Sequence, residues 1–356
     1  MYMVVDLLNI QPQKVSTDVT SYSMLIFGGV KSGKTTFTHK LYGNRVLHVM
    51  TEKRYKALAG ADVQYVGSWG EYLQVLAQLR KKEVKERYDV ISIDTIDNLV
   101  PMLEKYVASK YSESTIGERS DIWGADWTDA KTMWRDGMQM IERLGFVPAF
   151  VSHSIQNTIQ VPKSSVLESE KDELTQFTEG TDKKTGQSYL EFLQYQPDIK
   201  EKYLAVINNM VDNILYIDST TDTQGKEHRV IHLRGTLQYQ AGSTFEDIEP
   251  IIPLSPEAYT QAITDAVNKI DDKDKTDVRQ ADADTGDTKL DFDSLMKEAQ
   301  VIGTALFKAE HGDKVNAIVE KVFGKDHKLN EATKEQVELV DLVVSQLKEA
   351  KKELDV

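Results

Sequence analysis

The stretch FGGVKSGKTT, residues 27–36, has the residue types and spacing to grip a polyphosphate. Gly28, Gly29, Val30, Lys31, Ser32, Gly33, Lys34 and Thr35 fill the pattern G-x-x-x-x-G-K-[ST] in full. Gly28 and Gly33 permit a turn in which a Cβ would clash, so that successive backbone N–H groups, on through Thr36, point at phosphate oxygens. Lys34 brings a positive charge to the terminal phosphates, and Thr35 offers a hydroxyl to Mg2+. A helix starting near Lys34 adds the positive end of its dipole.

Other polar residues close apolar runs. YDVISIDT ends in Asp94, a carboxylate placed either to hold a magnesium-bound water or to cap a turn. Glu52 follows RVLHVM; it can polarise an attacking water, or pair with Lys53 and Arg54 beside it. Ser152 and His153 end FVPAFVSHS, as sensors of a terminal phosphate or as satisfied core groups. RKKEVKER (80–87) reads as a solvated helix face, with a nucleic-acid patch as the alternative. Trp123, Trp127 and Trp134 read as core or subunit contacts, with base stacking as the alternative. No zinc-type cluster and no Ser–His–Asp arrangement is legible.

These residues need a scaffold. SMLIFGG (23–29), RVLHVMT (45–51), YDVISIDT (88–95) and FVPAFVSHS (146–154) are short apolar, β-branched runs with helix-patterned sequence between them. That alternation predicts an α/β fold with a mostly parallel sheet covered by helices on both faces. NILYID (213–218) and HRVIHLRG (228–235) flank a polar connection and predict an antiparallel hairpin edge. Residues 155–200 break the pattern as an insertion with a hairpin tipped by DKKTG, expected to act as a mobile loop or flap. The predicted organisation is a core over 1–256, a helix and acidic flexible linker over 257–290, and a small all-helical module over 291–356 with Gly312 and Gly324 as helix stops.

Composition narrows the function classes. The chain has 356 residues and a net charge of −14, of which residues 255–356, with 23 acids and 15 bases, carry −8. Such a chain is a poor candidate for coating nucleic acid by bulk electrostatics. It has no cysteine, which excludes disulfides, thiolate metal sites and a cysteine nucleophile, and suits a reducing cytoplasm. No apolar run is long enough to span a bilayer, and MYMVVDLLNIQPQ lacks the features of a signal peptide.

Taken together, GGVKSGKTT, VMTEK, ISIDTIDNLVP and FVSHS resemble the RecA-like ATPase core over residues 20–254. The likeness is strongest to short phage-encoded RecA-type proteins linked to recombination and single-strand annealing. It implies ATP as the nucleotide, Asp94 as the magnesium-water ligand with Thr95 beside it, and Glu52 as catalytic base. It implies that His153 couples the terminal phosphate to a DNA-binding loop, here residues 155–200. VINNMVDNILYI fits the same pattern. In AGSTF (241–245), Thr244 stands where the resemblance expects arginine, which leaves Arg229 or Arg234 of a neighbouring subunit as substitutes. The resemblance also implies a ring or filament with sites between subunits, and work on single-stranded DNA in phage recombination or replication inside the host cytoplasm. Two alternatives are a helicase-like or helicase-loading ATPase acting through protein partners, and a nucleotide-gated scaffold. In the scaffold reading, the module at 291–356 serves as docking arm.

Overall fold

The computed structural model describes residues 12–54, 56, 58–171, 174, 176–280, 292–323 and 328–333, then 340, 343–344, 346–348, 350–351 and 354. Two compact units emerge, Met1–Gly286 and Asp287–Val356.

In chain order the first unit begins with β1 (Val15–Ser16), β2 (Met24–Gly28), α1 (Lys34–Tyr42), β3 (Val46–Met50), β4 (Asp62–Tyr65), α2 (Trp69–Leu79) and α3 (Lys82–Arg87). It continues with β5 (Val90–Asp94), α4 (Ile96–Lys110), α5 (Ala125–Arg143), β6 (Val147–Pro162), α6 (Glu168–Lys171), β7 (Phe177–Thr181) and β8 (Ser188–Pro197). It closes with α7 (Glu201–Asn208), β9 (Asn213–Thr221), β10 (Glu227–His232), β11 (Gly242–Ser243), β12 (Ile251–Pro253), α8 (Pro256–Asn268) and β13 (Lys275–Thr276).

The sheet runs β12-β10-β9-β2-β6-β5-β3-β4. Its six strands from β9 to β4 are parallel, and β10 and β12 add an antiparallel edge. Every residue of β2 and β5 is buried, because helices cover both faces and leave no side for polar residues. On one face Leu25, Ile91, Ile93 and Phe150 pack under α2, α4, α5 and α7. On the other, Met24, Ile26, Val90 and Val151 pack under α1 and α8. Helix starts are specified locally. Ser68 Oγ caps α2 by accepting from Glu71 N at 3.2 Å, and Ser255 Oγ caps α8 by accepting from Ala258 N at 3.0 Å.

The 155–200 segment contains the expected hairpin, built onto an extension of β6. β6 does not stop at Ser154; it runs on to Pro162 and pairs antiparallel with β8, which pairs with β7. The hairpin tip lies at residues 182–187, where Asp182 Oδ1 accepts from Lys184 N and Thr185 N at 2.8 Å. Leu190 and Phe192 are buried, so the extension has an apolar layer of its own that holds it in shape.

The acidic stretch after α8 departs from its reading as a linker. β13 pairs in parallel with β1. Arg279 forms an ion pair with Asp89 at 3.3 Å and donates to the carbonyls of Thr20, Asp89 and Gly145. One half-buried arginine network thus outweighs a composition that is otherwise solvating. Residues 281–290, the rest of the predicted linker, lie outside the described residues, as do residues 1–11.

In the second unit, α9 (Phe292–Lys308) and α10 (Gly312–Phe323) pack around Leu295, Ile302, Leu306 and Val319. Gly312 opens α10 rather than only closing the helix before it. Val340, Val343, Val344 and Leu347 join this core, while Gly324 and much of the predicted third helix lie outside the described residues. No described helix is long and apolar enough to cross a membrane.

Candidate active site

The loop between β2 and α1 closes tightly against β9. A Cβ at Gly28 would sit 2.7 Å from the Ile217 carbonyl oxygen, so this position accepts only glycine. Gly33 has φ +105°, in the region that favours glycine, and serves as N-cap of α1 with no side-chain capping bond. The first amides of α1 are therefore left to an anion. Ser32 Oγ is buried without a partner, a further polar atom awaiting a ligand.

Lys34 is buried, and its Nζ donates to the carbonyls of Gly28 at 2.9 Å and Gly29 at 2.8 Å. Burial lowers its pKa, while the carboxylates of Asp94, Asp97 and Glu52 pull it back up. Thr35 Oγ1 donates to Asp94 Oδ2 at 2.5 Å. Asp94, at the carboxyl end of β5, is pushed up to about 6 by burial, against the opposing pull of the Thr35 hydroxyl and the Lys34 charge. Two hard oxygen donors in contact, one a carboxylate short of charge compensation, fit a magnesium ion. The Asp94–Thr95 peptide is cis.

Glu52 stands just beyond β3. Its Oε1 accepts from Asn98 Nδ2 at 2.8 Å, and its Oε2 pairs with Arg54 Nε at 3.0 Å. Thr51 Oγ1 locks the ends of β3 and β5 together, donating to Thr95 O and accepting from Thr95 N, both at 2.9 Å. His153 lies opposite Gly28 in the β2–β6 register. Asp97, in the first turn of α4, accepts from His153 N at 3.1 Å and meets its Nδ1 at 2.9 Å. That contact raises the His153 pKa.

Lys31, Ser32, Gly33, Lys34, Thr35, Thr36, Glu52, Asp94 and His153 thus line one cavity of about 320 Å³, with Gly28, Gly29 and Val30 forming the loop's first half. Asp97, Asn98 and Thr51 escape the sequence reading, whereas the pairing of Glu52 with Arg54 is one of the two roles it offered. The signal for the first two was present in TIDN, which follows Asp94 and opens a helix whose first turn faces the loop.

The remaining candidates separate. Arg229 also lines the cavity, donating from Nη1 to Ser32 O of its own chain at 3.3 Å. Arg234 is instead spent on the carbonyls of Ser243, Phe245 and Glu246. Thr244 donates its backbone N–H to Asp212 O at 2.9 Å. Trp134 is core, donating Nε1 to Tyr203 O at 3.1 Å; Trp127 lies under Lys202 Nζ, and Trp123 is 95% exposed. Arg87 pairs with Asp62 at 2.7 Å on an exposed face. No group of three or more His, Cys, Asp or Glu able to hold a metal occurs among the described residues.

A glycine loop on a parallel sheet, a lysine aimed into it, and a threonine and strand-end aspartate in contact define a P-loop nucleotide site. The AAA domain family matches residues 20–245; the chain belongs to that family and is a P-loop ATPase. It is 25% identical over 358 residues to the SPbeta prophage-derived uncharacterized protein YorG of Bacillus subtilis (strain 168), covering 98% of this chain and 99% of that one. Among solved structures, the flagellar accessory protein FlaH of Methanocaldococcus jannaschii is 12% identical with a TM-score of 0.29, covering 62% of this chain and 80% of its own. The Legionella pneumophila ATPase DotB is 12% identical with a TM-score of 0.25, covering 78% of this chain and 58% of its own.

Proposed function

We propose that this chain is a magnesium-dependent, RecA-like ATPase whose hydrolysis cycle acts on single-stranded DNA in phage recombination or replication, in the host cytoplasm. The observation that carries the reading is the continuity of β6. One strand passes through His153 at the phosphate cavity and runs on as the backbone of the exposed antiparallel extension.

The chemistry follows from the cavity. Lys34 exchanges the Gly28 and Gly29 carbonyls for oxygens of the terminal phosphates, and the loop amides hold the chain of phosphates in place. Thr35 and Asp94 would hold the magnesium ion, which supplies charge neutralisation on the phosphate oxygens. Glu52 accepts a proton from water as its oxygen attacks the terminal phosphorus; the bond to the bridging oxygen breaks and ADP leaves with that electron pair. Arg54 and Asn98 hold the Glu52 carboxylate at this station. His153, clamped by Asp97, registers the loss of the terminal phosphate and passes it along β6.

The extension suits bases better than phosphates. Gln156, Thr158, Leu193 and Tyr195 line a cavity of about 700 Å³ with Phe177, and Phe177, Leu193 and Tyr195 are exposed. Residues 155–200 carry 8 acids and 5 bases. That charge also favours the second reading, a motor or loader that grips a protein partner, with the 291–356 module as a docking arm.

The deciding measurement is ATP turnover with and without single-stranded DNA, in the wild type and in His153→Ala. Stimulation by DNA in the wild type, lost in His153→Ala, is expected. Turnover indifferent to DNA at low salt would abandon the DNA reading for the protein-directed one.

A further inference from the structure

We propose that Arg229 is a nucleotide-phosphate contact supplied by the same chain as the loop, so that the site carries its own arginine. The inference rests on the ATPase reading and adds a residue to it.

The topology places Arg229 deliberately. Ile217 of β9 lies beside Gly28, and β10 runs antiparallel to β9 with Arg229 across from Ser219. Arg229 therefore stands two strands out from β2, with β9 between, at the loop's outer wall. Leu254 N donates to Arg229 O at 3.0 Å, tying the residue after β12 to the same wall. A Cβ at Gly33 would lie 3.2 Å from Leu254 Cδ2 and 3.5 Å from Arg229 Nη1. The guanidinium thus sits over Ser32 and Gly33, where α1 starts and its first amides are uncapped.

Its partners are incomplete. Arginine has five N–H donors and no acceptor. Here one donor reaches Ser32 O at 3.3 Å, and among the described residues no carboxylate lies within ion-pair distance of Arg229. Contrast the other two arginines: Arg234 is consumed by three carbonyls and Arg54 by Glu52. Beside Lys34 and the loop's exposed Lys31, Arg229 is a further cation lining this cavity, and the one that carries a guanidinium without a carboxylate partner. A triphosphate carries more negative charge than one lysine and one divalent ion neutralise, and a guanidinium matches phosphate oxygens in a two-pronged geometry.

The test separates a same-chain arginine from one delivered by a neighbouring copy. Arg229→Ala is expected to lower kcat about 1000-fold, the low end of what an arginine at a transferring phosphoryl supplies, with nucleotide affinity changed by less than about 10-fold. Arg229→Lys recovers part of the loss, and both variants, altered at an exposed position, melt as wild type. Equimolar Arg229→Ala and Lys34→Ala proteins are then mixed. A same-chain arginine leaves the mixture as inactive as its components, because no chain holds both groups. Recovery of turnover in the mixture, or wild-type kcat in Arg229→Ala, overturns the proposal. Full activity in Lys34→Ala alone overturns the loop reading beneath it instead.

Discussion

The two halves of β6 obey different rules. From Val147 to Ser152 every residue is buried between parallel neighbours β2 and β5, and the segment reads as an apolar run. From Ser154 to Pro162 the same strand pairs with the antiparallel β8 and alternates between exposed and half-buried residues. His153 sits at the change-over. On the proposed function, the difference teaches that one backbone serves two tasks. The inner half is fixed by helices on both faces and can hold a site to within fractions of an ångström. The outer half is partly exposed along its length. Changes in the inner region should therefore abolish chemistry, while changes in the outer region should alter only what the chemistry acts on.

The sharpest break in that comparison comes from the loop. Lys34→Ala removes the only buried cation among the described residues that line the cavity and should lower kcat/KM at least about 1000-fold. Glu52→Gln keeps the hydrogen bond from Asn98 but cannot take a proton; it should lower kcat about 100- to 1000-fold and leave nucleotide affinity nearly unchanged. Steady-state turnover with a fluorescent-nucleotide titration checks both. Glu52→Gln with intact hydrolysis would show that another group activates the water.

The same contrast explains what is legible in the sequence. The loop is legible because its residues are contiguous and their types are dictated by backbone contact with phosphate. Asp94, Glu52 and His153 are legible as polar residues ending apolar runs, since a strand buried on both faces announces where it stops. Asp97 and Asn98 are not, because an acid and an amide in a helix's first turn look like ordinary capping residues. The outer half of β6 is hidden by its mixed pattern: in SIQNTIQVP the exposed positions include Gln156, Thr158 and Gln160 but also Ile155 and Pro162, so no clean apolar run marks the strand. Residues 269–280 are hidden for a third reason. Their order comes from Arg279 reaching carbonyls far away in the chain, and composition is blind to such contacts.

Acid should strike the inner region first. His48 on β3 is fully buried, neither ring nitrogen has a partner, and Ser92 beside it is likewise unpartnered. Burial, with a smaller push from His39 against the pull of Asp62, drops the His48 pKa to about 4. The folded state refuses a proton that the unfolded chain accepts near pH 6.5, so His48 supports folding above that value. The support is lost as pH falls from 6.5 through 4, at about 1.4 kcal/mol per unit and about 3 kcal/mol in all. Urea unfolding at pH 7, 5.5 and 4 should show His48→Leu losing less stability than wild type across this window. Equal losses in the two proteins would mean that His48 titrates normally.

The smallest effect belongs to the outer region, and it tests whether the extension is a contact surface. Phe177 on β7 lies opposite Phe192 in register, but Phe192 is buried and Phe177 is 41% exposed. Part of its ring is therefore open to a base, and among the described residues no lysine or arginine lines the adjoining cavity. A single base stacked on an aromatic ring contributes at least about 1 kcal/mol, so Phe177→Ala should weaken oligothymidylate affinity about five-fold. The salt dependence should stay where it was, because stacking neutralises no phosphate. Anisotropy titrations at two salt concentrations measure both quantities. An unchanged affinity in Phe177→Ala would remove the bases from this face. A steeper loss in the variant at high salt would mean that the polymer is held by charge elsewhere on the protein.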